Sequence, residues 1–110
     1  MLKMNLEYKD DTLYVYLKGV LNKRNCYKIN NYLNPILKKH KISNLILILI
    51  HLRDIDEVGL DSLKRAKYLV KSCNGIMKVW GCDKEIKDKI KDLRVRKIKY
   101  MGDAYVWGNS

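Results

Sequence analysis

Hydrophobic and polar positions alternate from the first residues: Leu2, Met4, Leu6 and Tyr8 interleave with Lys3, Asn5 and Glu7. That is the period of a half-buried β-strand. Asp10-Asp11-Thr12 is a turn signal. Leu13, Val15 and Leu17 then alternate with Tyr14, Tyr16 and Lys18, predicting a second strand that forms a hairpin with the first and ends at Gly19. From about Arg24 the period lengthens. Cys26, Ile29, Leu33 and Ile36/Leu37 fall three or four apart, one apolar face of a helix with Asn22 as its N-cap. Pro35 predicts a kink or break near Asn34, with the last turn re-formed beyond it.

The run Leu45-Ile46-Leu47-Ile48-Leu49-Ile50 has no alternation and is too short to span a bilayer. It reads as a central strand, about residues 44–50, buried on both faces. An acidic turn, Asp54-Ile55-Asp56-Glu57, follows it. Leu60, Leu63, Ala66, Val70 and Cys73 then mark a second helix, with Lys64, Lys67 and Lys71 on its wet side and Asn74-Gly75 as the C-cap. Ile76, Met77, Val79 and Trp80 form a short strand that Gly81 leads out of. Asp83 caps a third helix with Ile86, Ile90 and Leu93 inward, and with Glu85 in its first turn and Lys91 and Arg94 in its last. Residues 96–101 are a final strand, and the tail 103–110 carries no assignment. The order ββαβαβαβ implies an α/β fold: one domain over residues 1–110, with a mixed, mostly parallel sheet of about five strands flanked by helices. In open α/β sheets function gathers where a central strand ends and a helix begins. Residues 54–63 occupy that place.

Composition narrows the chemistry. The chain has 110 residues, 47% of them hydrophobic, and no Pro/Gly/Ser-rich stretch, so it folds around its own core. Neither a signal peptide nor a membrane segment is visible, which predicts a cytoplasmic protein. The net charge of +11 suits nucleic acid, an anionic surface or an acidic protein. The lysines are spread through almost every element, however, with the densest group at Arg94, Arg96, Lys97 and Lys99, and an even spread reads as background before it reads as a site. Cys26, Cys73 and Cys82 form no CxxC pair, and His40 and His51 stand at no ligand spacing from them. No metal or cofactor is expected, and the cysteines read as small buried hydrophobes. With no Gly-rich phosphate loop and no nucleophile elbow, the one candidate base is His51 after the central strand. The expectation is not an enzyme.

Element order and turn together resemble the STAS domain of anti-sigma factor antagonists and sulfate-transporter tails. Leu17-Lys18-Gly19-Val20-Leu21-Asn22 resembles the family's strand end L-x-G-x-L-D, residues 44–50 its central strand, and Ile55-Asp56-Glu57-Val58-Gly59-Leu60 its hDSSGL signature. Met77-Lys78-Val79-Trp80-Gly81 matches a later strand end. The resemblance implies a protein-interaction domain. In the family the first signature serine is phosphorylated by a kinase that is itself an anti-sigma factor, and the unphosphorylated form binds that kinase and frees the sigma factor. Carried onto this chain, Asp56 matches the signature aspartate, Gly59 the glycine and Leu60 the apolar residue after it. Glu57 stands at the phosphoserine position, Val58 replaces the second serine, Asp61 replaces a small residue, and Asn22 replaces an aspartate.

Those departures have physical content. A phosphoserine adds roughly −1.5 to −2 charge and three acceptor oxygens, against one charge and two oxygens for glutamate. Glu57 either imitates the modified state permanently, or it joins Asp56 and Asp61 in capping and charge-complementing a helix start. Ser62 is the nearest hydroxyl, but it lies about one turn into the helix. The implied partner is an anti-sigma factor or kinase. The expected surface comprises Asn22, Asp56, Glu57, Val58, Gly59, Leu60 and Asp61 with the basic side of the second helix, Lys64 and Lys67 included. Two alternatives stand beside it. One is a basic module binding nucleic acid or an anionic surface, using Tyr14 and Tyr16 for stacking. The other is a STAS scaffold subunit that no longer switches.

Overall fold

The structure, a computed structural model, describes residues 1–98. Strands β1 (Leu2–Lys9) and β2 (Thr12–Leu21) form the antiparallel hairpin. Asp10 and Asp11, at φ 52° and 60°, make its two-residue turn, whose left-handed geometry follows the right-handed twist of the strands. Gly19 does not end β2. At φ +107° it bends the strand, and a Cβ there would lie 2.2 Å from the Met1 carbonyl oxygen, so glycine is required for β2 to continue to Leu21.

The next segment is helical with a wide turn at Ile29–Leu33 leading into α1 (Asn34–Lys39). The Asn34 N–H donates to the Ile29 carbonyl, five residues back. One extra residue in that turn accommodates Pro35, whose ring would strike the carbonyl four residues back in a regular helix. The irregularity expected near Asn34 is this wide turn, and the helix continues through it without a break.

Strand β3 (Asn44–Ile55) is the long central strand, and the presumed acidic turn is shorter than the sequence pattern implies. Asp54 and Ile55 still belong to β3, because the extension of β2 supplies them with partners: Val20 pairs with Asp54 and Leu21 with Ile55. The remaining elements are α2 (Glu57–Ser72), β4 (Ile76–Trp80), α3 (Lys84–Lys89), a single tight turn at Lys91–Leu93, and β5 (Arg96–Ile98). Lys91 and Arg94 therefore fall beyond α3 and not in its last turn. The expected final strand is described only to Ile98; its remainder and the tail lie outside the described residues. At the end of α2 the left-handed residue is Asn74 (φ 58°), while Gly75 is needed because a Cβ would sit 2.4 Å from the Ser43 carbonyl oxygen.

The five strands lie side by side in sequence order, antiparallel between β1 and β2 and parallel from β2 to β5. Parallel neighbours joined by right-handed crossovers place every connecting helix on the same side of the sheet. Leu13, Val15 and Leu17 of β2 meet Leu45, Leu47 and Leu49 of β3 on that side, in one buried cluster with Leu33 and Leu37 before and within α1, Leu63, Ala66 and Val70 of α2, and Ile86 of α3. On the opposite side Ile48 and Tyr16 are buried, Ile46 is half-buried and Ile50 is exposed, so β3 is buried on both faces at its middle only.

Twice β3 carries an extra residue against β2. Tyr16 pairs with Ile48 and Lys18 with His51; Gly19 pairs with Leu52 and Val20 with Asp54. These bulges reset which side chains face inward. Leu49, Leu52 and Ile55 consequently all point to the core at three-residue intervals. The far end of β3 is pinned to α3 by an ion pair between Asp54 and Lys89. The hydrogen bond from Lys89, together with the Ile55 N–H, holds the Asp54 carboxyl below its ordinary range. A depressed carboxylate contributes stability that is present above its unfolded pKa and lost as pH falls through the folded value. Lys89→Ala is thus expected to lower stability slightly at neutral pH, the pair being exposed, to flatten the acid limb of the stability–pH profile by that same small amount, and to leave stability below the carboxylate range unchanged. Denaturant titrations from pH 7 down to the carboxylate range check this, and an unaltered acid limb would remove the pair from the account.

Candidate functional site

The bulged β3 delivers its last residue beside the end of β2. The Asp56 N–H donates to the Leu21 carbonyl at 3.1 Å, extending the pairing by one bond. Asp56 itself has left the strand with extended backbone and is the N-cap of α2. Its Oδ1 accepts from the Gly59 N–H at 2.7 Å, satisfying one of the helix's free donors. Its Oδ2 accepts from the Lys23 N–H at 3.1 Å. One carboxylate therefore ties three chain segments together: the end of β3, the start of α2 and the loop after β2.

That loop is ordered from within. The Asn22 Oδ1 accepts from the Arg24 N–H, and its carbonyl from the Asn25 and Cys26 N–H groups. Asn22 thus opens the helical segment as the spacing predicts. Asn25, buried and not singled out by the sequence pattern, returns its amide to the Val20 carbonyl at 2.8 Å and accepts from the Asn22 N–H at 2.9 Å. Gly59 is buried against this corner. A Cβ there would lie 2.7 Å from the Leu21 carbonyl oxygen and 2.8 Å from the Leu21 side chain, so glycine is dictated by the close approach of α2 to β2.

The sequence-predicted residues separate into two groups. Asn22, Asp56, Gly59 and Leu60 build the corner, with Leu60 half-buried against the core. Glu57, Val58, Asp61 and Lys64 stand exposed on the first turns of α2. The Glu57 side chain makes no hydrogen bond or ion pair among the described residues. A carboxylate in this position is favoured by the helix dipole by about 0.3–1 kcal/mol.

Other expectations are corrected by the packing. Lys67 is not on the wet side with Lys64. It is half-buried, and its ammonium donates to the Leu93 and Arg94 carbonyls at 2.8 and 3.1 Å, closing the open end of the Lys91–Leu93 turn. Burial first, then Lys71 and Arg94, push its pKa down. Ser62 is fully buried and donates to the Gly59 carbonyl at 2.6 Å, out of a kinase's reach in the folded state. Tyr16 is buried and Tyr14 half-buried, so neither is the open stacking surface that the alternation suggests; among the described residues the exposed tyrosines are Tyr8, Tyr27, Tyr32 and Tyr68. His51 lies within β3, not after it, edge-on to the Tyr16 ring at 5.9 Å. Cys26 is buried, whereas Cys73 and Cys82 are half-buried, and burial raises the Cys82 pKa. Among the described residues no cluster of His, Cys, Asp and Glu has the makings of a metal site, and no helix is long and apolar enough to cross a membrane.

A hairpin thus leads into parallel strands in sequence order, with a capping aspartate and a close-packed glycine where the central strand meets its helix. Residues 3–101 match the family model of the STAS domain, and the chain belongs to that family. Solved structures share the fold. The anti-sigma factor antagonist SpoIIAA in its unphosphorylated form superposes with a TM-score of 0.76 at 13% identity, over 90% of this chain and 90% of that one. A Thermotoga maritima protein assigned as an anti-sigma factor antagonist gives 0.78 at 14% identity, over 92% and 90%. An uncharacterised Shewanella loihica protein with a SpoIIAA-like fold gives 0.58 at 12%, over 94% and 87%.

Proposed function

We propose that this STAS domain is a non-enzymatic, cytoplasmic protein-binding module of the anti-sigma factor antagonist type, which regulates transcription by engaging an anti-sigma factor kinase. Its contact surface is the exposed start of α2, made by Glu57, Val58, Asp61 and Lys64, with the Asn22 loop alongside. The observation that carries this reading is Glu57: an exposed carboxylate without a side-chain partner among the described residues, one residue after the capping aspartate, at the place of the signature's first serine. A fixed charge there makes the domain a constitutive counterpart of the modified state, and a switch kinase binds it weakly.

The test is Glu57→Ser, incubated with candidate anti-sigma kinases from the source organism and ATP. The serine variant is expected to accept phosphate. Before modification it should bind the kinase at least about tenfold more tightly than the parent, a difference of roughly 1.4 kcal/mol. A serine variant that is neither phosphorylated nor bound would leave the kinase reading without support and favour a scaffold subunit. Capture from native lysate with mass spectrometry identifies the partner in either case.

A further inference from the structure

The helix side of the sheet carries a second feature, two turns along α2 from Glu57. Asn30 of the wide turn and Asn34 at the start of α1 stand four residues apart on one helical segment. With Arg65, Tyr68 and Leu69 of α2 they line an open groove of ≈ 450 Å³ between that segment and α2. Arg65 and Tyr68 continue the exposed stripe of α2 that begins at Glu57 and Asp61.

Two observations at this groove point to a ligand. Asn34 is only 8% exposed, and its carboxamide oxygen has no hydrogen-bond partner among the described residues. A buried polar group left in that state weakens the fold, and native proteins hold few of them. Across the groove the Arg65 guanidinium is already oriented. Its Nη1 donates to the Asn30 Oδ1 at 3.1 Å, and the Asn30 amide in turn donates to the Cys26 Sγ at 4.0 Å. The bond to Asn30 uses one of the five guanidinium N–H donors, and among the described residues Arg65 is in no ion pair. Among those residues no carboxylate lines the groove. Its apolar surface comes from Tyr68, 73% exposed, and from half-buried Leu69.

We propose that this groove binds an extended, acidic peptide segment of a partner protein. A carboxamide offers both an acceptor and donors, the complement of a peptide unit, so Asn34 pairs with the backbone of the segment. The segment is extended because a helix has already used its own backbone donors and acceptors. Arg65 takes one of its carboxylates on the remaining donors, in the fork geometry that suits a planar acid. An apolar side chain of the segment covers Leu69 and Tyr68. The net charge of +11 draws an acidic partner toward this face. Phosphates are acceptors only and would leave the carboxamide oxygen unpaired, which favours a peptide over a nucleic-acid backbone. The site does not depend on Glu57 or on a kinase.

The experiment is a selection of displayed random peptides on the full chain, followed by fluorescence anisotropy with the most enriched peptide at physiological salt. Enriched peptides are expected to carry Asp or Glu beside an apolar residue. Arg65→Glu should weaken binding at least about tenfold. Lys3→Glu, the same charge change on β1, should leave it within about twofold, as should Glu57→Ser, about 12 Å away along α2. The Glu57 variant separates this site from the kinase reading. Asn34→Leu should also weaken binding at least about tenfold, yet melt no lower than the parent, because carbons replace an unpaired buried amide without loss. Amide chemical-shift changes in the unsubstituted protein should centre on Asn30, Asn34, Arg65 and Leu69, which tests the location independently of any variant's folding. No enrichment of acidic peptides, binding that survives Arg65→Glu, shift changes centred elsewhere, or a lowered melting temperature for Asn34→Leu would each overturn the proposal. Sedimentation of the free chain and titration with a mixed-sequence single-stranded oligonucleotide complete the set. Arg65-dependent self-association or oligonucleotide binding, without binding of peptide, would give the groove to a second copy or to nucleic acid and likewise overturn it.

Discussion

Leu63→Ala is expected to lower the unfolding free energy by about 2–5 kcal/mol. Leu63 lies on the inward face of α2, fully buried in the cluster that joins the helices to the sheet. Truncation removes the transfer free energy of the lost carbons and leaves a cavity that the surrounding buried cluster closes only in part. Small domains carry roughly 5–15 kcal/mol in total, so the denaturation midpoint should fall steeply with an unchanged slope. Val58→Ala, on the same end of the helix but 45% exposed, should stay within about 0.5 kcal/mol of the parent. A Leu63→Ala variant inside that same margin would contradict the packing described for α2. The contrast matters for function, because loss of partner capture by a core variant reports a loosened α2 and not a lost contact.

The fold was legible where one periodicity ruled an element. Leu2 to Tyr8, Leu13 to Leu17, and Leu63 to Val70 each follow a single spacing, and each element is found where that spacing puts it. Legibility failed where two spacings meet within one strand. Leu49, Leu52 and Ile55 are three apart, which matches neither alternation nor a continuous apolar run, so β3 seemed to stop at residue 50. The cause is the pair of bulges, and a bulge is a property of pairing with β2 that a single strand's pattern does not contain. Gly19 is the same case seen from β2: a residue that ends many strands here only bends one, because Met1 crosses against it.

At the candidate site, residue identity was readable but the division of labour was not. The stretch 54–63 was found from its position after the apolar run, and Gly59 and Asp56 from the resemblance. Which carboxylates are committed to the fold depends on contacts remote in sequence. Asp56 meets Lys23, 33 residues away; Lys67 meets Leu93 and Arg94, 26 and 27 residues away. The helical spacing that put Lys67 with Lys64 on the wet side was sound for an isolated α2. The turn after α3 then covered that flank and took the lysine as its cap. Asn25 had no local signal at all, since its two bonds hold a loop whose shape is set by β2 and α2 together. The side chains exposed and not committed to the corner are therefore fewer than the stretch the sequence singles out: Glu57, Val58, Asp61 and Lys64.

Asp56→Ala is expected to cost about 2 kcal/mol, the sum of about 1 for the lost helix cap and about 1 for the bond to the Lys23 N–H. At roughly 4 °C or more per kcal/mol for a domain near this size, the melting temperature should fall by about 8–10 °C. Asp56→Asn separates the two contributions. Asparagine caps helices as well as aspartate does, but its amide offers one carbonyl oxygen where the carboxylate offers two, so it holds either the Gly59 N–H or the Lys23 N–H and not both. The asparagine variant should therefore sit about halfway between parent and alanine. If it matches the parent, the Lys23 bond contributes nothing; if alanine also matches, Asp56 is not structural and returns to the partner-binding surface. The comparison also fixes how Glu57 variants are to be judged. Glu57 holds no side-chain bond among the described residues, so Glu57→Ser should leave the melting temperature within about 2–4 °C of the parent, and altered kinase capture by that variant then reports chemistry at the helix start and not a weakened corner.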